Sequence, residues 1–108
     1  MAEFRDEKII AIIKEAGAQF LAQESTRASL LTVTKVDLST DGKRAIIYFT
    51  AFPTDKEETA LLFAKRKRKD FQEFMREKTS LGRMPLFDFA IDEGEKNRQK
   101  IDSLSQKI

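Results

Sequence analysis

Residues 57–78 read EETALLFAKRKRKDFQEFMREK, a stretch that is helical by period yet holds five consecutive cations at its centre. Leu61, Ala64, Phe71, Met75 and Lys78 mark one inner stripe, and Arg68 interrupts it. Thr54 and Glu57 stand ahead of it with capping-box spacing, and the helical pattern runs to about Thr79. Unbroken, such a helix is about 37 Å long at about 1.5 Å per residue, more than a compact domain of this size is wide. Each residue turns a helix by about 100°, so five in a row wrap the whole circumference. At least one of Lys65, Arg66, Lys67, Arg68 and Lys69 would then face the core. A kink near the run resolves both conflicts, and a kinked helix is the expectation.

The elements on either side follow from shorter periods. Residues 6–23 form a helix by spacing, with Ile9, Ile13, Ala16 and Phe20 on one stripe and Ile10, Gly17 and Leu21 widening it. Gly17 costs roughly 1 kcal/mol in a helix, which close packing on a sheet would explain. Residues 31–39 read as a strand whose apolar parity changes between Val33 and Val36, the mark of a β-bulge or of burial on both faces. Thr40-Asp41-Gly42-Lys43 is a turn, and Arg44 to Phe52 alternates as a second, antiparallel strand. Beyond the long helix, Leu81-Gly82 reads as a C-terminus with Gly82 as the left-handed cap. Leu86 to Ile91 is a third strand, with Phe87, Phe89 and Ile91 on one side. Asp92 and Glu95 have cap spacing before a final helix striped by Ile101, Leu104 and Ile108. The second and third strands flank a helical crossover and should run parallel. The fold class is therefore α+β, in the order α-β-β-α(kinked)-β-α, with a three-stranded mixed sheet.

Composition narrows the function. The 108 residues suit one domain, 1–108, and include no Cys and no His. Disulfides, thiolate chemistry and imidazole metal sites are excluded, as is any His-assisted nucleophile. No metal or other cofactor is expected. The N-terminus lacks the shape of a signal peptide, and the longest apolar runs, 9–13 and 60–64, are far short of the ~20 residues of a membrane helix. A cytoplasmic monomer is the expectation. Charge is 20 Lys and Arg against 18 Asp and Glu, a net of +2, and without the run 65–69 the net is −3. The positive charge is thus local, and local positive charge has an anionic partner.

Four strings together resemble the ribosome-binding factor A family, a bacterial family that matures the small ribosomal subunit. They are Val33-Thr34-Lys35-Val36-Asp37-Leu38-Ser39, Ala45-Ile46-Ile47-Tyr48-Phe49-Thr50, Arg83-Met84-Pro85-Leu86-Phe87-Asp88-Phe89 followed by Asp92, and Ile101-Asp102-Ser103-Leu104. The resemblance implies a type-II KH-like fold with helices packed on one face of the sheet. It implies binding to the small ribosomal subunit and its 16S-type rRNA during late maturation, without catalysis. That family has an alanine-any-glycine motif at its helical kink. Counting back from Pro85, the motif falls near Lys67-Arg68-Lys69, where this chain has neither residue. The family's aspartate–proline–arginine before the first strand is also missing, with Arg27 matching at most part of it. Crowding of the five cations is another cause for a kink there.

The candidate RNA-binding residues are Lys65, Arg66, Lys67, Arg68 and Lys69, extended by Arg76, Lys78 and Arg83. Each cation that neutralises a phosphate releases a counterion. The competing reading of the run is a solvated helix face paired with Glu73 and Glu77. Arg76 and Lys78 equally suit the negative end of a helix dipole. Lys43 and Arg44 read as solubilising turn residues. Phe87 and Phe89 read as core, and Tyr48 alone stays open as a base-stacking aromatic. The acids at 55, 57 and 58 and at 92, 93 and 95 read as helix starts. A protein-interaction module, its basic helix meeting an acidic partner, is the alternative function. A single-strand KH binder lacks the glycine-x-x-glycine loop.

Overall fold

The computed structural model of the chain describes residues 2–24, 30–79 and 81–94, with side chains from Glu7 to Gln23 in the first of these. Helix α1 spans Ala2–Glu24, strands β1 and β2 span Leu30–Leu38 and Arg44–Phe52, and a 3-10 turn covers Thr54–Lys56. Helices α2 (Glu57–Arg66) and α3 (Arg68–Lys78) follow, then strand β3 (Leu86–Ile91). The sheet order is β1-β2-β3, with β1 antiparallel and β3 parallel to β2. The three-stranded mixed sheet and the kinked helix expected from the sequence are therefore present. The final helix expected around Ile101, Leu104 and Ile108 lies outside the described residues.

Alternation along the strands sends one set of side chains into the core. Ala45, Ile47, Phe49 and Ala51 of β2 are buried, as are Phe87 and Phe89 of β3. The parity slip in β1 is a bulge: Val33 pairs with Phe49 and Lys35 with Tyr48, leaving Thr34 as the extra residue. Thr34 ties the sheet together, because its hydroxyl donates to Asp92 Oδ2 at 2.5 Å while the Asp92 N–H donates to the Phe49 carbonyl at 2.9 Å. The hairpin turn needs Gly42 at φ 72°, a conformation that a Cβ disfavours. Asp41 Oδ1 accepts from the Ser39 hydroxyl at 2.6 Å and from the Lys43 N–H at 3.0 Å. Those bonds favour its charged form and hold its carboxyl below the ordinary value.

The core-facing side of the sheet is covered by α1 and by the α2–α3 pair. Ile13, Ala16, Phe20 and Leu21 give α1 its buried stripe. A Cβ at Gly17 would stand 3.4 Å from Ile47 Cγ2 and 3.8 Å from Val33 Cγ2, so the helix lies close on the strands there. Phe71 is the hub. It is fully buried, and its ring centroid lies 5.2 Å from Phe20, 4.9 Å from Phe87 and 5.5 Å from Phe89, edge-on in each case. Such geometry adds to the area term. On the other sheet face Leu30, Phe52 and Leu86 are exposed, and Ile46, Tyr48 and Thr50 are half-buried.

Three expected local features differ. No side-chain cap forms at Pro53 or Lys56, so Thr54 and Glu57 do not make a capping box; a 3-10 turn precedes α2 instead. Gly82 is not a left-handed cap, since Gly42 alone among the described residues has positive φ. Helix α3 ends where its pattern does, with Thr79 as the cap, which is extended and whose hydroxyl and N–H both donate to the Met75 carbonyl, at 2.6 and 3.0 Å. The inner stripe runs Ala60, Ala64, Phe71, Met75; Leu61 is half-buried, and Arg68 and Lys78 are exposed.

Two outcomes test this account. Phe71→Ala should lower unfolding stability by about 3–5 kcal/mol in urea titrations, the cost of emptying a close-packed aromatic site. Asp41 should titrate by NMR with a midpoint below 3.8. Its pKa is lowered on folding, so its contribution to stability is present above the unfolded value and fades as pH falls through the folded one.

Candidate nucleic-acid interface

The cationic run lies on the break between two helices. Helix α2 ends at Arg66, Lys67 has φ −93° and ψ 7°, and α3 begins at Arg68. The Lys67 N–H still donates back to the Ala64 carbonyl at 3.0 Å and to that of Phe63 at 3.2 Å, while its own carbonyl receives the Phe71 N–H at 2.8 Å. One residue outside helical geometry is enough to turn the run away from the core. All five side chains keep contact with solvent, and Arg66, Arg68 and Lys69 are exposed.

Their partners divide them. Lys65 Nζ lies 3.6 Å and Arg68 Nη1 3.5 Å from the same oxygen, Asp88 Oδ1. That oxygen also accepts the Phe89 N–H at 2.8 Å. Arg68 Nε folds back to donate to the Lys65 carbonyl at 3.0 Å, so one guanidinium links the last turn of α2, the first turn of α3 and β3. Lys67 Nζ is 3.6 Å from Asp70 Oδ2 and 5.5 Å from the centroid of the Phe63 ring. Arg66 and Lys69 form no ion pair among the described residues. The competing reading pairs the run with Glu73 and Glu77; the carboxylates that meet it are Asp70 and Asp88. Spacing along the helix does not point to Asp88. It lies twenty residues beyond Arg68, and only the seating of the kink beside β3 brings them together. Five cations against two carboxylates leave the run with an excess of positive charge.

The outlying candidates scatter. Arg76 and Lys78 occupy the last turn of α3, at its carbonyl end. Lys78 also lines an open groove of about 330 Å³ against α1, with Ile12, Glu15, Ala16, Gln19 and Thr79. Arg83 is exposed in the segment leading to β3, at the hairpin-turn end of the sheet, since Leu86 N–H donates to the Lys43 carbonyl at 2.8 Å. Phe87 and Phe89 are core, as expected. Tyr48 is half-buried on the sheet face away from α1, with Lys35 Nζ 4.7 Å from its ring centroid. Among the described residues there is no cluster of metal-ligating side chains. No described helix is long and apolar enough to cross a membrane.

A mixed sheet backed on one face by helices, with the crossover helix broken at a charged kink, defines a small α+β protein. The chain belongs to the ribosome-binding factor A family, whose profile matches residues 5–105. It is similar to the crystal structure of ribosome-binding factor A from Thermus thermophilus, at 31% identity and a TM-score of 0.67 over 79% of this chain and 93% of that one. A Thermus thermophilus homology model fitted into the cryo-EM map of a 30S–RbfA complex is 30% identical, with a TM-score of 0.63 over 75% of this chain and 88% of that one. The solution NMR structure of a Thermotoga maritima protein, at 23% identity and a TM-score of 0.56 over 82% and 83% of the two chains, shares the fold. A comparison with curated proteins finds no match.

Because the Asp88 pairs are half-exposed, Asp88→Asn should cost no more than about 1 kcal/mol of unfolding stability. Asparagine keeps an oxygen for the Phe89 N–H. A loss above about 2 kcal/mol in urea titrations would contradict that assignment.

Proposed function

We propose that the chain is a non-catalytic assembly factor that binds the small ribosomal subunit and its 16S-type rRNA during late maturation. It acts as a single KH-like domain, a cytoplasmic monomer without a cofactor. The helical kink presents the run 65–69 to rRNA phosphates, and the sheet beneath fixes the orientation of the kink. Arg76, Lys78 and Arg83 extend the contact at longer range. The observation that carries this reading is the break at Lys67, which keeps five consecutive cations at the surface with more positive charge than the neighbouring carboxylates balance. Membership of the ribosome-binding factor A family supports it, as does the relative fitted into a 30S–RbfA map. Helical RNA is met mainly through shape, phosphates and 2′-hydroxyls, which suits a ridge of charge over a rigid support.

Co-pelleting with purified small subunits tests the reading. Reversing Arg66, Lys67 and Lys69 to Glu should abolish pelleting at physiological salt. Unchanged binding with an unchanged salt dependence would overturn the proposed surface. Retention of the main partner after nuclease treatment of a lysate would favour an acidic protein instead.

A further inference from the structure

Two members of the cationic run share one carboxylate, and that carboxylate is itself held. Asp88 is the third residue of β3, and its Oδ1 accepts the N–H of the next residue at 2.8 Å, which fixes the oxygen against the strand. Lys65 and Arg68 reach the same oxygen at 3.6 and 3.5 Å. One lies in the last turn of α2 and the other at the start of α3, so both reach it across the break. Arg68 is held a second time, by the Lys65 carbonyl at 3.0 Å. Arg66 and Lys69 likewise stand one in each helix. Both are exposed, and neither meets a carboxylate among the described residues.

Building on the phosphate-capture reading, we propose that Asp88 sets which cations of the run touch RNA: it withholds Lys65 and Arg68, and leaves phosphate contact to Arg66 and Lys69. The physical ground is competition between anions. A phosphate approaching Lys65 or Arg68 meets the fixed negative charge of Asp88, and the cation must give up that carboxylate to serve the phosphate. A phosphate approaching Arg66 or Lys69 meets no such rival. Lys67 stands between the two sets, beside the exposed Asp70. The five cations, alike in sequence, are therefore unequal in function. Lys65 and Arg68 brace the kink, and the outward pair binds. Asp88 is a positioning residue, acting through the two cations it holds.

The salt dependence of binding counts phosphate contacts, each worth a slope of about 0.7–0.9 in log K against log salt. The test measures that slope for the full chain on purified small subunits, with Arg66→Gln, Lys69→Gln and Lys65→Gln each made in the natural chain and in Asp88→Asn. Arg66→Gln and Lys69→Gln should each flatten the slope by about 1 in both backgrounds. Lys65→Gln should leave it unchanged in the natural chain and flatten it by about 1 when Asp88 is Asn. Asp88→Asn alone should steepen the slope by about 1–2 as the two held cations are freed. Asp88→Ser, which removes the charge with a different side chain, should reproduce the steepening, and a structural role alone would not produce it. If Lys65→Gln flattens the slope in the natural chain as much as Arg66→Gln does, or if both Asp88 variants leave it unchanged, the division of the run is wrong. If no cation variant moves the slope in either background, the phosphate-capture reading itself fails, which is a different result.

Discussion

The burial of Phe71 is the constraint from which the rest of the molecule follows. Its ring lies among those of Phe20, Phe87 and Phe89, so it joins α1, α3 and β3 in one contact set. Its N–H makes the bond that starts α3, to the Lys67 carbonyl. The half of the crossover before the break is lined by Ala60 and Ala64, the half after it by Phe71 and Met75. The distance at which a helix sits on its support depends on the side chains at the contact. A methyl-lined helix seats closer than one lined by Phe and Met, and one straight rod cannot satisfy both. The backbone breaks where the demand changes, at Lys67, between Ala64 and Phe71. Crowding among like charges is not needed to explain it.

That break converts a packing solution into a surface. In a continuous helix, Lys67 or Arg68 would fall on the line between Ala64 and Phe71 and face the core, where an unpaired cation is costly. At the break both side chains leave toward water. Arg68 then returns to brace the joint through Lys65 and Asp88, so the region that displays charge is also tied to β3. Exposed pairs of this kind add little to global stability. Their effect is local order, and local order is what an electrostatic ridge needs if it is to match the spacing of phosphates.

Much of this was legible in the sequence, for reasons that differ by element. Strands β2 and β3 alternate cleanly, and their limits fall where the alternation ends. The bulge announced itself as a parity slip between Val33 and Val36, and the kink as a stripe that cations interrupt. The failures are of another sort. Capping spacing at Thr54 and Glu57 describes what a helix start could use, and the chain used a 3-10 turn there. Gly82 had the right neighbours for a cap, but Thr79 ended the helix first by bonding back to Met75. Among the site residues, the run itself was legible because five like charges cannot share a buried face. Its division was not, because Asp88 meets Lys65 and Arg68 only through tertiary structure. Local acids such as Glu73 and Glu77 were the natural guess from spacing along the helix.

The missing alanine-any-glycine motif is reconciled by the backbone itself. A glycine is required where φ is positive, and among the described residues only Gly42 has that: Lys67, at the motif's alanine position, has φ −93° and ψ 7°, and Lys69, at its glycine position, lies within α3. The carbonyls at the end of α2 are met by the Lys67 N–H and, at Lys65, by the Arg68 guanidinium. The substitution has a consequence for the interface. Alanine and glycine add no charge, whereas Lys67 and Lys69 at those two positions raise the run to five cations, and Asp88, which holds Lys65 and Arg68, restores a measure of balance. Asp88 and the run 65–69 are one electrostatic unit, and a change to either alters how many unpaired charges the kink carries.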